Sequence, residues 1–349
     1  MTKITRGNVL EADAEALVNT VNCVGYMGKG IALQFKKAFP ENYKAYAEAC
    51  REEKVRPGRM FVFETRTVTN PKYIINFPTK RHWRGQSRIE DIVAGLEDLV
   101  KEIKDRGIRS VAVPPLGTGL GGLDWNVVRP RMENAFSVLP NVRILLFEPV
   151  GAPEAKAMPV RTQRPKMTVA RALFIKLMQQ YTTLAYRLTL LEIQKLAYFL
   201  QEAGEPLRLK YGAGHYGPYA HNLNKVLEML EGHFIRGYGD SQDPDVEIRL
   251  LPGAVKAADK FLAKHEDSRR RLSQVANLIE GFETPYGMEL LSSTHWVAIH
   301  SDQSVDEPED AVQAVHMWSD RKKRMFQPGH IRVAWKRLAE AGWVREKSA

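Results

Sequence analysis

A chain of 349 residues, 44% hydrophobic and 26% charged, has the composition of ordinary globular protein and enough length for two domains, each burying its own core. No apolar run approaches the ~20 residues of a membrane span, the basic N-terminus lacks the apolar segment of a secretory signal, and two cysteines supply neither a disulfide framework nor a metal cluster, so a metal-free cytoplasmic protein is expected. The net charge of +10 divides evenly between the halves and does not say which half meets a polyanion.

Residues 1–150 alternate strand and helix, which predicts an α/β three-layer sandwich around a mixed sheet. Ala16 to Val21 reads as a buried strand. It runs through Asn22, Gly25, Gly28, Lys29 and Gly30 into Ile31, Ala32, Phe35 and Phe39 at helical spacing. A strand, a glycine-rich turn and a helix start aim backbone N–H groups at one place, where a phosphate is held. The turn is neither GxGxxG nor GxxxxGK[ST], so an ordinary strand-to-helix loop is the competing reading. Pro40 opens a charged helix over Glu41–Glu53, and Met60–Phe63 and Tyr73–Phe77 read as strands, with Lys80 following the second. Ser87, with Glu90 three residues on, predicts the cap of a helix whose apolar face is Ile89, Ile92, Val93, Leu96, Leu99, Val100 and Ile103. Ile108–Val113 predicts another buried strand. It leads into a second glycine-rich loop, Leu116, Gly117, Thr118, Gly119, Leu120 and Gly121, before a helix from Asp124, and Val142–Phe147 supplies a last strand. In a parallel sheet, loops at the carboxyl ends of strands share one edge, so two such loops predict a clamp on a diphosphate.

Residues 151–167, punctuated by Pro153, Pro159 and Pro165, read as a linker, and 168–349 as a second, mainly helical domain. Leu188, Leu191, Leu196 and Phe199 predict one helix. Leu223, Val226, Leu227 and Leu230 predict another, after a turn at Tyr216, Gly217, Pro218 and Tyr219. A helix over Ile331–Trp343, with Gly342 at its end and a short strand after it, has the pattern of a winged helix with Arg321 to Arg324 nearby, which makes DNA binding one reading of this half.

Gly7, Asn8 and Val9, the run VNTVN ending in Asn22, the GKGIA turn and GTGLGGL together resemble the macrodomain family, ADP-ribose-binding α/β modules, over roughly residues 1–150. The segment Phe77, Pro78, Thr79, Lys80, Arg81 resembles the branch that removes ADP-ribose from DNA or carboxylate side chains with a lysine. The whole chain resembles the DarG-type antitoxins that partner the DNA ADP-ribosyltransferase DarT. That resemblance implies a macrodomain that releases ADP-ribose from thymidine in single-stranded DNA, with no cofactor, and a second domain that docks the toxin. It also assigns residues. Lys80 attacks the opened ribose carbon or steers the proton, Asn22 holds the distal ribose, and Asn8 and Val9 lie at the adenine. Gly28, Lys29, Gly30, Ile31 and the Leu116–Gly121 loop hold the rest of ADP-ribose. Where related lysine-using enzymes carry an aspartate in that loop, this chain has Gly121.

The residues alone leave alternatives. A lysine is almost wholly protonated at neutral pH unless burial or neighbouring cations lower its pKa, and Lys80 in a KR pair reads equally as a solvated basic loop. Asn22 also suits an Asx turn, Asn8 a turn, and Asp124 a helix cap. Arg81, His82, Trp83 and Arg84 suggest a stacking platform with phosphate contacts for single-stranded nucleic acid, or ordinary surface. The segments KLAYF and HYGPY resemble helical antitoxin modules of the SocA-like, or Panacea, type. The function alternative is an ADP-ribose-binding module without chemistry, fused to a DNA-binding or interaction domain.

Overall fold

The computed structural model describes residues 2–149, 158–183, 188–239, 247–301 and 304–344. Two compact units divide the chain: Met1–Arg164 with Gly239–Gln242, and Pro165–Tyr238 with Asp243–Ala349.

The first unit is a six-stranded sheet: β1 (Thr2–Thr5), β2 (Ala16–Asn22), β3 (Phe61–Glu64), β4 (Tyr73–Lys80), β5 (Ser110–Val113) and β6 (Arg143–Phe147), in the order β1-β6-β5-β2-β4-β3. Every pairing is parallel except β3 against β4. Parallel strands covered on both faces need apolar residues at successive positions rather than alternate ones, and β2 obeys: Ala16, Leu17 and Val18 are all fully buried. On one face Ala16, Val18, Ile75 and Phe77 pack against α3 (Ile89–Asp105) and α4 (Trp125–Phe136) through Ile92, Leu96, Leu99, Ile103, Val128 and Met132. The other face is covered by α1 (Gly30–Ala38) and α2 (Pro40–Arg51). There Leu17 and Ile74 share a cluster with Phe35, and Val21 packs with Tyr46 and Ala49. The result is the expected three-layer mixed sandwich. Inside it, Asn76 accepts from Asn19 at 3.0 Å and from Asn42 at 3.3 Å and donates to Asn42 at 2.7 Å, so one carboxamide ties two other buried ones together, while the Asn19 Oδ1 makes no hydrogen bond among the described residues.

Several local expectations change. Arg88, not Ser87, is the N-cap of α3, and no side chain caps that helix, because Ser87 is held in the neighbouring loop by its N–H bond to the Gly121 carbonyl at 2.9 Å. Val93 is 38% exposed, one position off the buried stripe. Lys80 is the last residue of β4 instead of following it. Of the stretch read as a linker, 151–157 lie outside the described residues. Met158 is buried, and the Arg161 N–H donates to the Lys37 carbonyl at 2.8 Å.

The second unit is mainly helical: α5 (Val169–Thr183), α6 (Leu190–Glu202), α7 (Leu223–Leu230), α8 (Ala254–Leu262), α9 (Glu266–Ile279), α10 (Pro285–His300), α11 (Pro308–Trp318), α12 (Asp320–Met325) and α13 (Pro328–Glu340). Two short antiparallel pairs accompany them: β7 (Tyr211–Gly214) with β8 (Gly217–Ala220), and β9 (Ile235–Arg236) with β10 (Arg249–Leu250). Leu188 precedes α6, whose cap is Thr189 in a capping box with Glu192. Gly217, Pro218 and Tyr219 form a strand of the hairpin rather than a turn. Among the described residues no strand follows α13 up to residue 344; the remainder of the expected strand, 345–349, lies outside the described residues. Of the basic run Arg321 to Arg324, Arg321 and Lys322 turn inward onto Glu289 at 2.6 and 2.8 Å, where a carboxylate balances part of their charge, while Lys323 and Arg324 stay exposed. Among the described residues no helix is long and apolar enough to cross a membrane.

Candidate active site

Three strands that stand side by side, β5, β2 and β4, end on one edge of the sheet, and each leads there into a segment that the sequence singled out. A register shift between Val21 and Asn22 sets Asn22 opposite Lys80, so the two candidate side chains sit at the carboxyl ends of paired strands.

The turn after β2 is built by its own residues. The Asn22 carboxamide accepts from the Val24 N–H at 3.0 Å and the Tyr26 N–H at 3.3 Å, and donates to the Tyr26 carbonyl. The Tyr46 hydroxyl donates to the Asn22 carbonyl at 2.6 Å. Asn22 therefore makes the Asx turn that closes the strand, and its carboxamide shapes the loop. Tyr26 lies over Gly28 so closely that a Cβ there would stand 2.4 Å from the ring. Lys29 is the N-cap of α1 by backbone alone, burial lowers its pKa, and Gly30 opens the helix at φ +59°. In this structure the Gly30 N–H donates to the carbonyl of Gly239 at 3.0 Å, so this N–H at the helix start faces an oxygen acceptor. Ile31, in the first turn of α1, packs with the Phe35 cluster.

The loop after β5 meets that turn: a Cβ on Gly30 would lie 3.4 Å from the Leu120 side chain. Leu116 is fully buried, Thr118 turns back to the Pro115 carbonyl at 3.2 Å, and the Leu123 N–H donates to the Gly117 carbonyl at 3.0 Å. Gly119 and Leu120 are exposed at its tip. At Gly121 a Cβ would stand 2.1 Å from the Gly117 carbonyl oxygen and 2.3 Å from the Ser87 hydroxyl. No aspartate fits this backbone, which gives the departure from related lysine-using enzymes a steric cause. Asp124 caps α4 through the Asn126 N–H at 2.9 Å, a structural role.

Lys80 is partly buried and, among the described residues, makes no ion pair; burial pulls its pKa below the usual lysine range. The residues after it divide. Arg81 is held by Asp91 through two bonds of 3.1 and 3.2 Å, so its guanidinium is tied to the first turn of α3. Trp83 is packed by the rings of Tyr26 and His82, each at 5.4 Å, and by the Arg84 guanidinium 4.6 Å from its centroid, while the Arg84 N–H donates to His82 Nδ1 at 3.2 Å. Asn8 is not brought to these residues by any described contact. Its side chain caps the short helix Val9–Glu11, accepting from the Leu10 N–H at 3.0 Å, and Val9 is buried in the α1-side core.

Sequence reasoning passed over Tyr26, Tyr46 and Asp91. Tyr26 was within reach, since it stands between Asn22 and Gly28 in the singled-out turn. Tyr46 and Asp91 lie on helices whose pattern signals only packing. Among the described residues no cluster of His, Cys, Asp and Glu could hold a metal.

A model of the Macro domain family matches residues 18–132. A DNA ADP-ribosyl glycohydrolase of Thermus aquaticus is 45% identical over 345 residues, covering 99% of this chain and 95% of that protein. A DNA ADP-ribosyl transferase-DNA ADP-ribosyl glycohydrolase fusion protein of Thermosipho africanus is 34% identical over 144 residues, 37% of each chain. Among solved structures, the macrodomain of Thermus aquaticus DarG is 53% identical, with a TM-score of 0.42, covering 43% of this chain and 99% of that one.

Proposed function

The chain belongs to the DNA ADP-ribosyl glycohydrolase family of hydrolases, and from that premise we propose that it removes ADP-ribose from a thymidine base in single-stranded DNA with Lys80 as the catalytic group. In this reading the macrodomain through residue 150 holds ADP-ribose. Its diphosphate lies between the turn Gly28–Ile31 and the loop Leu116–Gly121, the adenine end lies toward Asn8 and Val9, and Asn22 fixes the turn that faces the distal ribose. Lys80 at the end of β4 then stands beside the anomeric carbon.

The observation that carries the mechanism is the partly buried Lys80, which makes no ion pair among the described residues. Desolvation raises the share of neutral amine, and only the neutral amine has a lone pair. Neutral Lys80 Nζ attacks the anomeric carbon; the carbon–nitrogen bond to the base breaks, its electron pair goes to the base nitrogen, and the proton shed by the newly alkylated amine neutralises the base. Water then adds to the anomeric carbon and releases ADP-ribose and the amine. Neither a metal nor an organic cofactor enters.

His82, Trp83 and Arg84 supply a ring and two polar groups for the DNA strand, while Arg81 is committed to Asp91. Beyond the linker 151–167, residues 168–349 dock and restrain the DarT-type transferase that installs the modification. The pairing of both activities in the name of the Thermosipho africanus relative supports that partner, and the loss of Arg321 and Lys322 to Glu289 leaves only Lys323 and Arg324 of the basic run exposed for DNA. The protein acts in the reducing cytoplasm. The test is Lys80→Ala: ADP-ribose affinity is kept and release of ADP-ribose from a modified oligonucleotide, followed by mass spectrometry, stops. Equal release by both proteins would remove the mechanism.

A further inference from the structure

A cleft of about 540 Å³ opens beside the strand ends, lined by Cys23, Cys50, Glu53, Val55, Arg56, Pro57, Arg81 and Asp91. Cys23 follows Asn22 and Arg81 follows Lys80, so the two chains that carry the candidate site run directly into the wall of this cleft. We propose that the cleft receives the nucleotide that bears the ADP-ribose, which makes Cys23, Val55, Pro57 and Arg81 the leaving-group side of the site. This assignment rests on Lys80 being the catalytic amine.

Direction and chemistry both point there. In the proposed pose the diphosphate lies at the two glycine-rich turns, so the bond to be cut leads away from them, and this cleft adjoins that end of β2 and β4 through Cys23 and Arg81. A base attached through the reacting bond cannot remain stacked in a helix while its anomeric carbon meets a lysine at a sheet edge; enzymes acting on a base take it out of the stack into a recess. The volume is within the ordinary range for a bound small molecule and accommodates one nucleotide. Its lining mixes uncharged residues with two arginines and the carboxylates of Glu53 and Asp91, the latter paired with Arg81. Cys23, Cys50, Val55 and Pro57 are an uncharged side for a flat base. Burial raises the thiol of Cys23 to about 11 and also raises that of Cys50, so both are neutral and neither adds charge to that wall. The Arg81 guanidinium gives Nε and Nη2 to Asp91 and keeps Nη1 for a base carbonyl oxygen, and Arg56, whose Nε donates to the Glu53 carbonyl at 3.0 Å, is exposed and keeps its other N–H groups for a phosphate. Arg81 thus belongs to base recognition and not to the surface platform of Trp83 and Arg84.

Cys23 and Cys50 are the only cysteines of the chain, and both are partly exposed, so they report on the cleft directly. The full-length Lys80→Ala protein is treated with iodoacetamide alone, with saturating ADP-ribose, and with a saturating single-stranded oligonucleotide carrying ADP-ribose on thymine, and alkylation of each cysteine is timed by mass spectrometry. The expected result is at least tenfold slower alkylation of both thiols with the modified oligonucleotide and less than twofold change with ADP-ribose. Equal rates with the two ligands, the oligonucleotide remaining intact, would overturn the cleft and leave Lys80 in place. Cleavage of the oligonucleotide by the variant would overturn the reading of Lys80 and this inference with it. In a second measurement, Pro57→Trp fills the rim. It lowers kcat/KM on the modified oligonucleotide at least tenfold while affinity for ADP-ribose stays within twofold; an unchanged kcat/KM would refute the proposal.

Discussion

Gly121→Asp places in the second loop the carboxylate that related lysine-using enzymes carry, and the structure predicts damage where a chemical analogy predicts gain. The added Cβ would stand 2.1 Å from the Gly117 carbonyl oxygen and 2.3 Å from Ser87 Oγ, both far inside van der Waals contact. Room can be made only by moving the loop. That breaks the bonds from the Leu123 N–H to Gly117 and from the Ser87 N–H to Gly121, 3.0 and 2.9 Å long. Two such bonds at about 1 kcal/mol each and an overpacking cost of about 1–3 kcal/mol come to about 3–5 kcal/mol. For a unit of this size each kcal/mol lowers Tm by about 2–4 °C, so a fall of about 6–20 °C is expected. The same movement carries Leu120 away from Gly30, and ADP-ribose affinity should drop at least tenfold, about 1.4 kcal/mol. Thermal unfolding of the full chain and calorimetric titration with ADP-ribose measure both. A variant melting within about 2 °C of the parent and binding ADP-ribose equally well would show that the loop has room the structure denies it.

Because burial lowers the pKa of Lys80, the rate of ADP-ribose release should rise with pH as the amine loses its proton, levelling below the ordinary lysine value of 10.5, and Lys80→Arg should abolish that rise; pH profiles of single-turnover release check it. Asn76→Ala strands the carboxamides of Asn19 and Asn42 in the core and should cost about 2–4 kcal/mol in urea unfolding. In the second unit, burial lowers Lys195 to about 7 from 10.5. The unfolded chain therefore binds this proton more tightly, the penalty is whole below about pH 7 and fades as pH rises toward 10.5. Lys195→Met should raise stability relative to the parent most at about pH 6, with the gain shrinking by about pH 10 in paired urea titrations.

The sandwich was legible because its signals are local. Buried strands such as Ala16–Asn22 and Ser110–Val113 announce themselves as short apolar runs, and the stripe of α3 recurs at helical spacing. The two glycine-rich turns were legible for the same reason. What escaped was decided by neighbours distant in sequence. Ser87 looked like a cap, but Gly121 holds its backbone from another loop. Arg81 looked like a surface cation until Asp91, on a helix with an ordinary pattern, claimed it. Arg321 and Lys322 read as a basic face, and only the arrival of Glu289 from α10 turns them inward. A sequence shows which charges exist but not which of them meet.

The placement of β2 between β5 and β4 has a thermodynamic corollary. Segments ending at Asn22, Lys80 and Val113 are far apart along the chain yet contiguous at this edge, so no fragment lacking one of them can assemble the recognition surface. A nucleotide gripped by both turns is linked by mass action to the survival of all three pairings, adding ~2.7 kcal/mol at a hundredfold excess over Kd. Amide exchange along the central strands should then slow together on saturation, whereas β1 and β3, at the two margins of the sheet, go on opening locally at their own pace.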